Sequence, residues 1–289
     1  VLIQERIKME QSMLSEISDI FNDIKRIKPL VHNITNYVTA NDCANIVLAI
    51  GASPVMADDP EEVEEVVSLS RALVINLGTL NKRAVESMLK AGKKANELGI
   101  PVILDPVGVG ASSFRRRTVQ EIIRNIKLAV IRGNVSEIKA IAGLESTTHG
   151  VDASEQDINT SKDLWYAKNI SENLSEKLGC VIAITGTVDI VSDNRKTVFI
   201  RSGDKMFSSV TGAGCMCTSL IGTFCAVCDN YFTAASAGIL ALCISGEKAI
   251  EKLTHTEFGS GSFRTVLIDS VFGLQSKDFI ERGKIDVSI

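Results

Sequence analysis

Val210-Thr211-Gly212-Ala213-Gly214-Cys215-Met216-Cys217 sets two glycines around one small residue and follows them with a thiol. The small and apolar run from Thr218 to Val227 then reads as a helix. With no Cβ at 212 or 214, backbone N–H groups could approach an anion at that helix's N-terminus. Cys215 would stand at the positive end of the helix dipole, which lowers a thiol's pKa, so a nucleophile or a base could be held there. An ordinary glycine-rich turn entering a buried helix has the same pattern, and a lone G-x-G does not separate the two.

Other chemistry-bearing residues close apolar strand-like runs. Asp105 ends Ile100-Pro-Val-Ile-Leu, Arg132 follows Leu128-Ala-Val-Ile131, and Thr185-Gly186-Thr187 follows Gly179-Cys-Val-Ile-Ala-Ile184. Asn134 and Glu137 have the N-cap and N3 spacing of a capping box, so Glu137 could be structural or functional. Together these supply an anion cradle, a phosphate-reaching cation, a hydroxyl and two carboxylates. Phosphoryl transfer uses those parts: in-line positioning, charge neutralisation, and Mg²⁺ held by one or two carboxylates. No G-x-x-x-x-G-K-[ST] occurs, so the nucleotide site is not of the Walker-A type, and no G-x-G-x-x-G follows the first strand, which disfavours a dinucleotide oxidoreductase.

The elements that would position these residues alternate along the chain. Residues 1 to 27 carry Ile and Leu at helical spacing and predict an amphipathic leading helix, stopped by Pro29. Leu30 to Ile34 is a strand running into the polar residues Thr35 and Asn36, with a helix from about 37 to 49. His32 in that strand could be a base or ligand, or a hydrogen-bonded structural histidine. Strand, loop and helix recur from Gly51, from Arg71 and from Ile100, with a helix from Asn81 to Leu98 closed by a left-handed Gly99. After the strand at 128 to 131, a polar loop (Ser146 to Ser161, containing His149, Asp152 and Asp157) precedes a helix to Leu178. The sixth strand leads to a hairpin (189–192 and 196–200) and to helices near 215–228, 231–249 and 258–275. This order predicts a three-layer α/β fold, a mostly parallel sheet with helices on both faces and ligand groups at its carboxyl edge. A single domain is expected, with residues 1–25 a peripheral helical extension.

The 289 residues have a net charge of −4, which gives no basic field for nucleic acid or anionic membranes. No uninterrupted apolar run reaches the ~20 residues of a membrane span. Val1 to Glu10 carries Glu5, Arg6, Lys8 and Glu10 and lacks the apolar centre of a signal peptide, so a cytoplasmic location is expected. Seven cysteines, an odd number in apolar segments, suit reduced thiols. Cys225-Ala-Val-Cys228 matches half a zinc site or a redox pair, but no second pair or nearby His completes it.

Six motifs in order then resemble the signatures of one family. Leu30-Val-His-Asn-Ile-Thr-Asn36, Gly51-Ala-Ser-Pro-Val-Met-Ala57, Asn76-Leu-Gly-Thr-Leu80, Asp105-Pro-Val-Gly-Val-Gly110, Ile131-Arg-Gly-Asn134 and Val210-Thr-Gly-Ala-Gly-Cys-Met216 are similar to those of the hydroxyethylthiazole kinases, ribokinase-like enzymes of thiamin salvage. The resemblance covers roughly residues 28 to 275. It implies ATP-dependent, Mg²⁺-assisted phosphorylation of 4-methyl-5-(2-hydroxyethyl)thiazole by a homotrimer with sites between subunits. It also implies thiazole contacts from Met56 and Gly212, with Asn36, Val38 and Gly78 nearby, and ATP contacts from Arg132 and Thr185. Asp105 and Glu137 would serve the metal and the phosphates. The N–H groups of Gly212, Ala213, Gly214 and Cys215 would stabilise the transferred phosphoryl group. Cys215 stands where most of the superfamily has an aspartate base, so it would position the hydroxyl or accept its proton late. A kinase of the hydroxymethylpyrimidine branch and a non-catalytic nucleotide or thiazole sensor are the competing readings.

Overall fold

A computed structural model describes residues 2–144, 161–255 and 257–288. The polar loop containing His149, Asp152 and Asp157 lies outside the described residues. Helix α1 (Leu2–Ile27) leads into β1 (Leu30–Ile34), α2 (Ala40–Ile50), β2 (Ser53–Val55), α3 (Val63–Leu69), β3 (Ala72–Asn76), α4 (Lys82–Glu97) and β4 (Val102–Asp105). The alternation continues with α5 (Ser113–Asn125), β5 (Val130–Gly133), α6 (Val135–Ala142), α7 (Ser161–Leu178) and β6 (Val181–Ile184). Strands β7 (Asp189–Ser192) and β8 (Thr197–Ile200) form the hairpin. Then come α8 (Ala213–Cys225), α9 (Tyr231–Leu253), α10 (Ser260–Phe272), α11 (Ser276–Arg282) and β9 (Ile285–Ser288).

Among the described residues, nine strands join one sheet in the order β2-β1-β3-β4-β5-β6-β7-β8-β9. The first six are parallel and the last three antiparallel. Strands such as Ala72-Leu-Val-Ile-Asn76, buried throughout, read as continuous apolar runs because helices cover both faces. The two-residue pleat sends Val31, Val74, Ile103 and Val130 to one layer, with residues of α1, α2, α8, α9, α10 and α11. It sends Leu73, Ile75, Leu104 and Ile131 to the other, with residues of α3, α4, α5, α6 and α7. The expected three-layer α/β architecture is the one observed.

Several boundaries differ from the sequence reading. Helix α2 begins at Ala40, because Asn36 accepts the N–H groups of Val38 and Thr39 and holds residues 36–39 in a turn. The terminal strand β9 pairs with β8. Its signal, Ile285 and Val287 alternating with polar residues, is short and easily passed over. Gly99 is left-handed as expected, with φ +70°. The leading helix is not peripheral: Ile17, Phe21 and Ile24 are buried in the core, and Phe21 packs on Phe279 at 5.3 Å between ring centroids. Among the described residues, α9 is the one helix long and apolar enough to cross a membrane, and 83% of its apolar window is buried inside the protein.

Candidate active site

Parallel register lines up the carboxyl ends of the first six strands. Asn76, the last residue of β3, stands opposite Asp105, the last of β4. Arg132 on β5 pairs with Ala183 on β6, two residues before Thr185. Across this edge runs the N-terminus of α8. Its N-cap Gly212 has φ +86°, a left-handed conformation that a side chain rarely adopts, and a Cβ there would stand 2.6 Å from Thr39 Cγ2. The N–H of Met216 reaches Gly212 O, whereas the N–H groups of Gly214 and Cys215 precede any helical acceptor and point out of the helix end.

Asp105 is the centre of the arrangement. It is wholly buried; its Oδ2 accepts from Asn76 Nδ2 and Thr218 Oγ1, each at 2.8 Å, and lies 3.8 Å from Arg132 Nη1. Its Oδ1 has no hydrogen-bond partner among the described residues. Burial raises its pKa, opposed by Arg132, Thr218 and Asn76. Glu137 makes the capping box read from the sequence, accepting the N–H of Asn134 at 2.8 Å, and also accepts the N–H of Gly108 at 2.8 Å. Burial, and then the charge of Asp105, push Glu137 up to about 7. Arg132 is hydrogen-bonded to Thr185. Burial works most strongly against its charge, but Asp105, Cys217, Glu137 and Cys215 together outweigh it and the guanidinium pKa is raised.

Cys215 differs from its expected state. The helix N-terminus led the sequence reading to consider a lowered pKa, yet the thiol's pKa is raised, by burial first and then by Asp105. Desolvation disfavours the charged form more than the partial charge of one helix end favours it. Asn36 and Asn76 both donate to its sulfur, at 3.4 and 3.3 Å.

The fold therefore brings together Asn36, Gly78, Asp105, Arg132, Thr185, Gly212, Gly214 and Cys215, residues drawn from far apart in the chain. Gly78 packs so closely on Asn36 that a Cβ would fall 2.6 Å from it. Glu137 stands behind the first row, facing the backbone of the glycine loop at Gly108. Met56 is half-buried just past β2, and Val38 is 57% exposed on the rim. His32 takes the structural role: Nε2 donates to Ala57 O at 2.7 Å, fixing the backbone beside Met56. The Cys225 and Cys228 thiols are free, Cys225 within the core and Cys228 on Asn230 O at 3.6 Å.

Sequence reasoning passed over Asn76, Thr218, Arg115 and Asp189. Arg115 binds the carbonyls of Leu77, Gly78 and Val107, tying the loops after β3 and β4 together. Asp189 is buried at the start of β7, accepting the N–H of Gly186 at 3.0 Å and the thiol of Cys243 at 3.4 Å. Asn76 and Asp189 end or begin strands as Asp105 does, and that position was the available signal.

Whether a divalent cation suits the site can be judged from the donors. Among the described residues no three His, Cys, Asp or Glu side chains cluster as a metal cage. Mg²⁺ needs no such cage, since it keeps waters and binds one or two carboxylates together with phosphates. The partnerless Oδ1 of Asp105 is a hard oxygen donor of that kind, so the residues fit.

Comparison with known proteins places this geometry in a family. Residues 21–277 match the profile of the hydroxyethylthiazole kinase family. Hydroxyethylthiazole kinase of Clostridium beijerinckii is 51% identical over 277 residues, 96% of this chain and 99% of its own. The Methanobrevibacter smithii hydroxyethylthiazole kinase is 45% identical, covering 96% and 99%. The solved hydroxyethylthiazole kinase structure from Pyrococcus horikoshii OT3 superposes with a TM-score of 0.84 at 37% identity, over 94% of this chain and 99% of that one. Staphylococcus aureus pyridoxal kinase, with AMP-PCP and pyridoxal, shares the ribokinase-like fold at TM-score 0.55 and 15% identity, over 77% and 88%. With most of its length matched and its strand-end residues assembled on one edge, the chain belongs to the hydroxyethylthiazole kinase family.

Proposed function

We propose that the protein transfers the γ-phosphoryl group of ATP to the hydroxyl of 4-methyl-5-(2-hydroxyethyl)thiazole, yielding the thiazole phosphate and ADP in thiamin salvage. The observation that carries this reading is the order of residues along the sheet edge. Met56, Asn36, Val38 and Gly78 follow β2, β1 and β3 at one end, Arg132 and Thr185 close β5 and β6 at the other, and Asp105 with the α8 N-terminus stands between. An alcohol on the first side and a triphosphate on the second would meet over Gly212 to Cys215. Family membership supports the same assignment.

The chain's own groups then divide the work. Outward N–H groups at Gly214 and Cys215 would hydrogen-bond the transferred phosphoryl oxygens, where charge is held in the transition state. Arg132 supplies a permanent cation to the same phosphates, oriented by Thr185. Met56 and Gly212 would hold the thiazole so that its hydroxyl approaches in line. A Mg²⁺ ion, when bound, would neutralise phosphate charge. Asp105 would hold it through Oδ1, and Glu137 would serve through the loop at Gly108 or through an intervening water. Cys215 is a neutral thiol near pH 7 because burial raises its pKa, so its role is to align the alcohol. In a loose transition state the alcohol needs little deprotonation in advance.

The assembly is proposed to be a homotrimer with sites between subunits. Exposed apolar side chains at Tyr37 (82%) and Val38 (57%), on the rim beside the thiazole end, support a covering partner there. A cytoplasmic location accords with seven free cysteines. The decisive experiment is a coupled ADP-release assay with hydroxyethylthiazole, with and without Mg²⁺. Turnover that requires both is the expected result, and absence of thiazole-dependent turnover would overturn the reading.

A further inference from the structure

We infer that Asn76 is a positioning residue of this site, selecting through one side-chain amide which oxygen of Asp105 is left for reaction and how the Cys215 thiol points. The inference deepens the kinase reading and rests on it. Asn76 is 2% exposed and ends β3 directly opposite Asp105 in the β3–β4 register. Its Oδ1 accepts the N–H of Gly78 at 2.9 Å and Nδ2 of Asn36 at 3.0 Å, while its Nδ2 donates to Asp105 Oδ2 at 2.8 Å and to Cys215 Sγ at 3.3 Å.

The chemistry of the partners dictates this amide orientation. A backbone N–H only donates and an ionised carboxylate only accepts, so a flipped amide would oppose two donors at Gly78 and two acceptors at Asp105. Asn36 is constrained in the same way. Its Oδ1 accepts the N–H groups of Val38 and Thr39, both at 3.1 Å, which leaves its Nδ2 for Asn76 and Cys215.

Two consequences follow for the reacting groups. Asn76 from β3 and Thr218 from α8 both engage Oδ2 of Asp105, so that oxygen is spent and Oδ1 remains free. The Cys215 sulfur receives two amide N–H groups, so its lone pairs face Asn36 and Asn76 and its own proton faces away from them. One amide thus couples the carboxylate and the thiol, although neither the thiazole nor ATP need touch it.

The test uses Asn76→Asp in the full chain, which keeps the side-chain shape and removes both donors. Steady-state ADP release gives kcat and the KM for ATP. Peptide-resolved alkylation by iodoacetamide reads Cys215, with Cys228 past the other end of α8 as internal control. The expected result is a fall in kcat of about tenfold or more with the KM for ATP within about threefold, because an orientation is lost and the nucleotide contacts are not. Cys215 alkylation slows by about threefold or more, since N–H donors stabilise a thiolate, and Cys228 is unchanged. A smaller fall in kcat, a larger change in the KM for ATP, a smaller slowing at Cys215, or parallel changes at both cysteines would overturn the inference. If Asn76→Asp does not fold, Asn76→Leu keeps the branched shape without charge and is read by the same criteria. A parent enzyme without thiazole-dependent turnover would overturn the kinase reading instead, and the alkylation arm would still decide whether Asn76 orients Cys215.

Discussion

Nη1 of Arg132 lies where a methyl group on Gly214 would be: a Cβ built at Gly214 falls 2.5 Å from that nitrogen. The glycine is therefore needed by the cation as well as by any approaching anion. Gly214→Ala must push the guanidinium tip off its hydrogen bond to Thr185, a shift that the flexible end of the side chain can make without unfolding the protein. Steady-state kinetics should give a roughly 10- to 100-fold loss in kcat/KM for ATP. A thermal midpoint near the parent's would accompany it, and an unchanged kcat/KM would show that Arg132 does not meet the nucleotide.

Asp105→Asn keeps the shape of the carboxylate but replaces its charge. A loss in kcat on the order of 100-fold is expected, with a higher Mg²⁺ concentration needed for half-maximal rate. Titrating Mg²⁺ in the ADP-release assay separates the two effects. An unaltered Mg²⁺ requirement would remove Asp105 from the metal's surroundings.

Cys215→Ala addresses the thiol directly. Because burial and Asp105 raise its pKa, the thiol stays protonated from about pH 7 to pH 8.5. The variant should retain kcat within about tenfold, with a pH–rate profile of unchanged shape over that range. A loss beyond ~100-fold would instead assign Cys215 the proton transfer.

Asp189 predicts a pH-dependent stability. Burial raises its pKa from 3.8 to about 6, against the opposing N–H of Gly186, the thiol of Cys243 and the charge of Arg132. The folded state holds this proton more tightly than the unfolded chain. The associated stability is complete below the unfolded pKa of 3.8 and lost as pH rises through about 6. Asp189→Asn removes that loss while still offering an acceptor to Gly186. Urea unfolding at about pH 4 and pH 7 should show the variant gaining on the parent with rising pH, by at most ~3 kcal/mol. A pH-independent difference would rule out this titration.

Phe21→Ala tests the integration of α1. The ring is 2% exposed and sits against Phe279 of α11, so truncation leaves a cavity between the first helix and the last. Denaturant unfolding should show a loss of ~3–5 kcal/mol. A loss under ~1 kcal/mol would return the helix to the periphery.

The amino-acid sequence by itself determined the local elements and the residue types at their ends. Runs such as Ala72 to Asn76 read as strands, Asn134 and Glu137 carried the spacing of a capping box, and the glycines at 212 and 214 marked a turn free of side chains at the start of a helix. These are short-range properties, set by the two-residue pleat, the helical turn and the absence of a Cβ. What only the tertiary structure decided is long-range. Strand order put β1 between β2 and β3, which brings Asn36 to Asn76; Thr218 reached Asp105 across 113 residues; and β9 came back to β8. Burial then reversed the direction expected for the Cys215 thiol and drew α1 into the core. Desolvation and sheet order depend on which distant segments pack together, and no local periodicity encodes that.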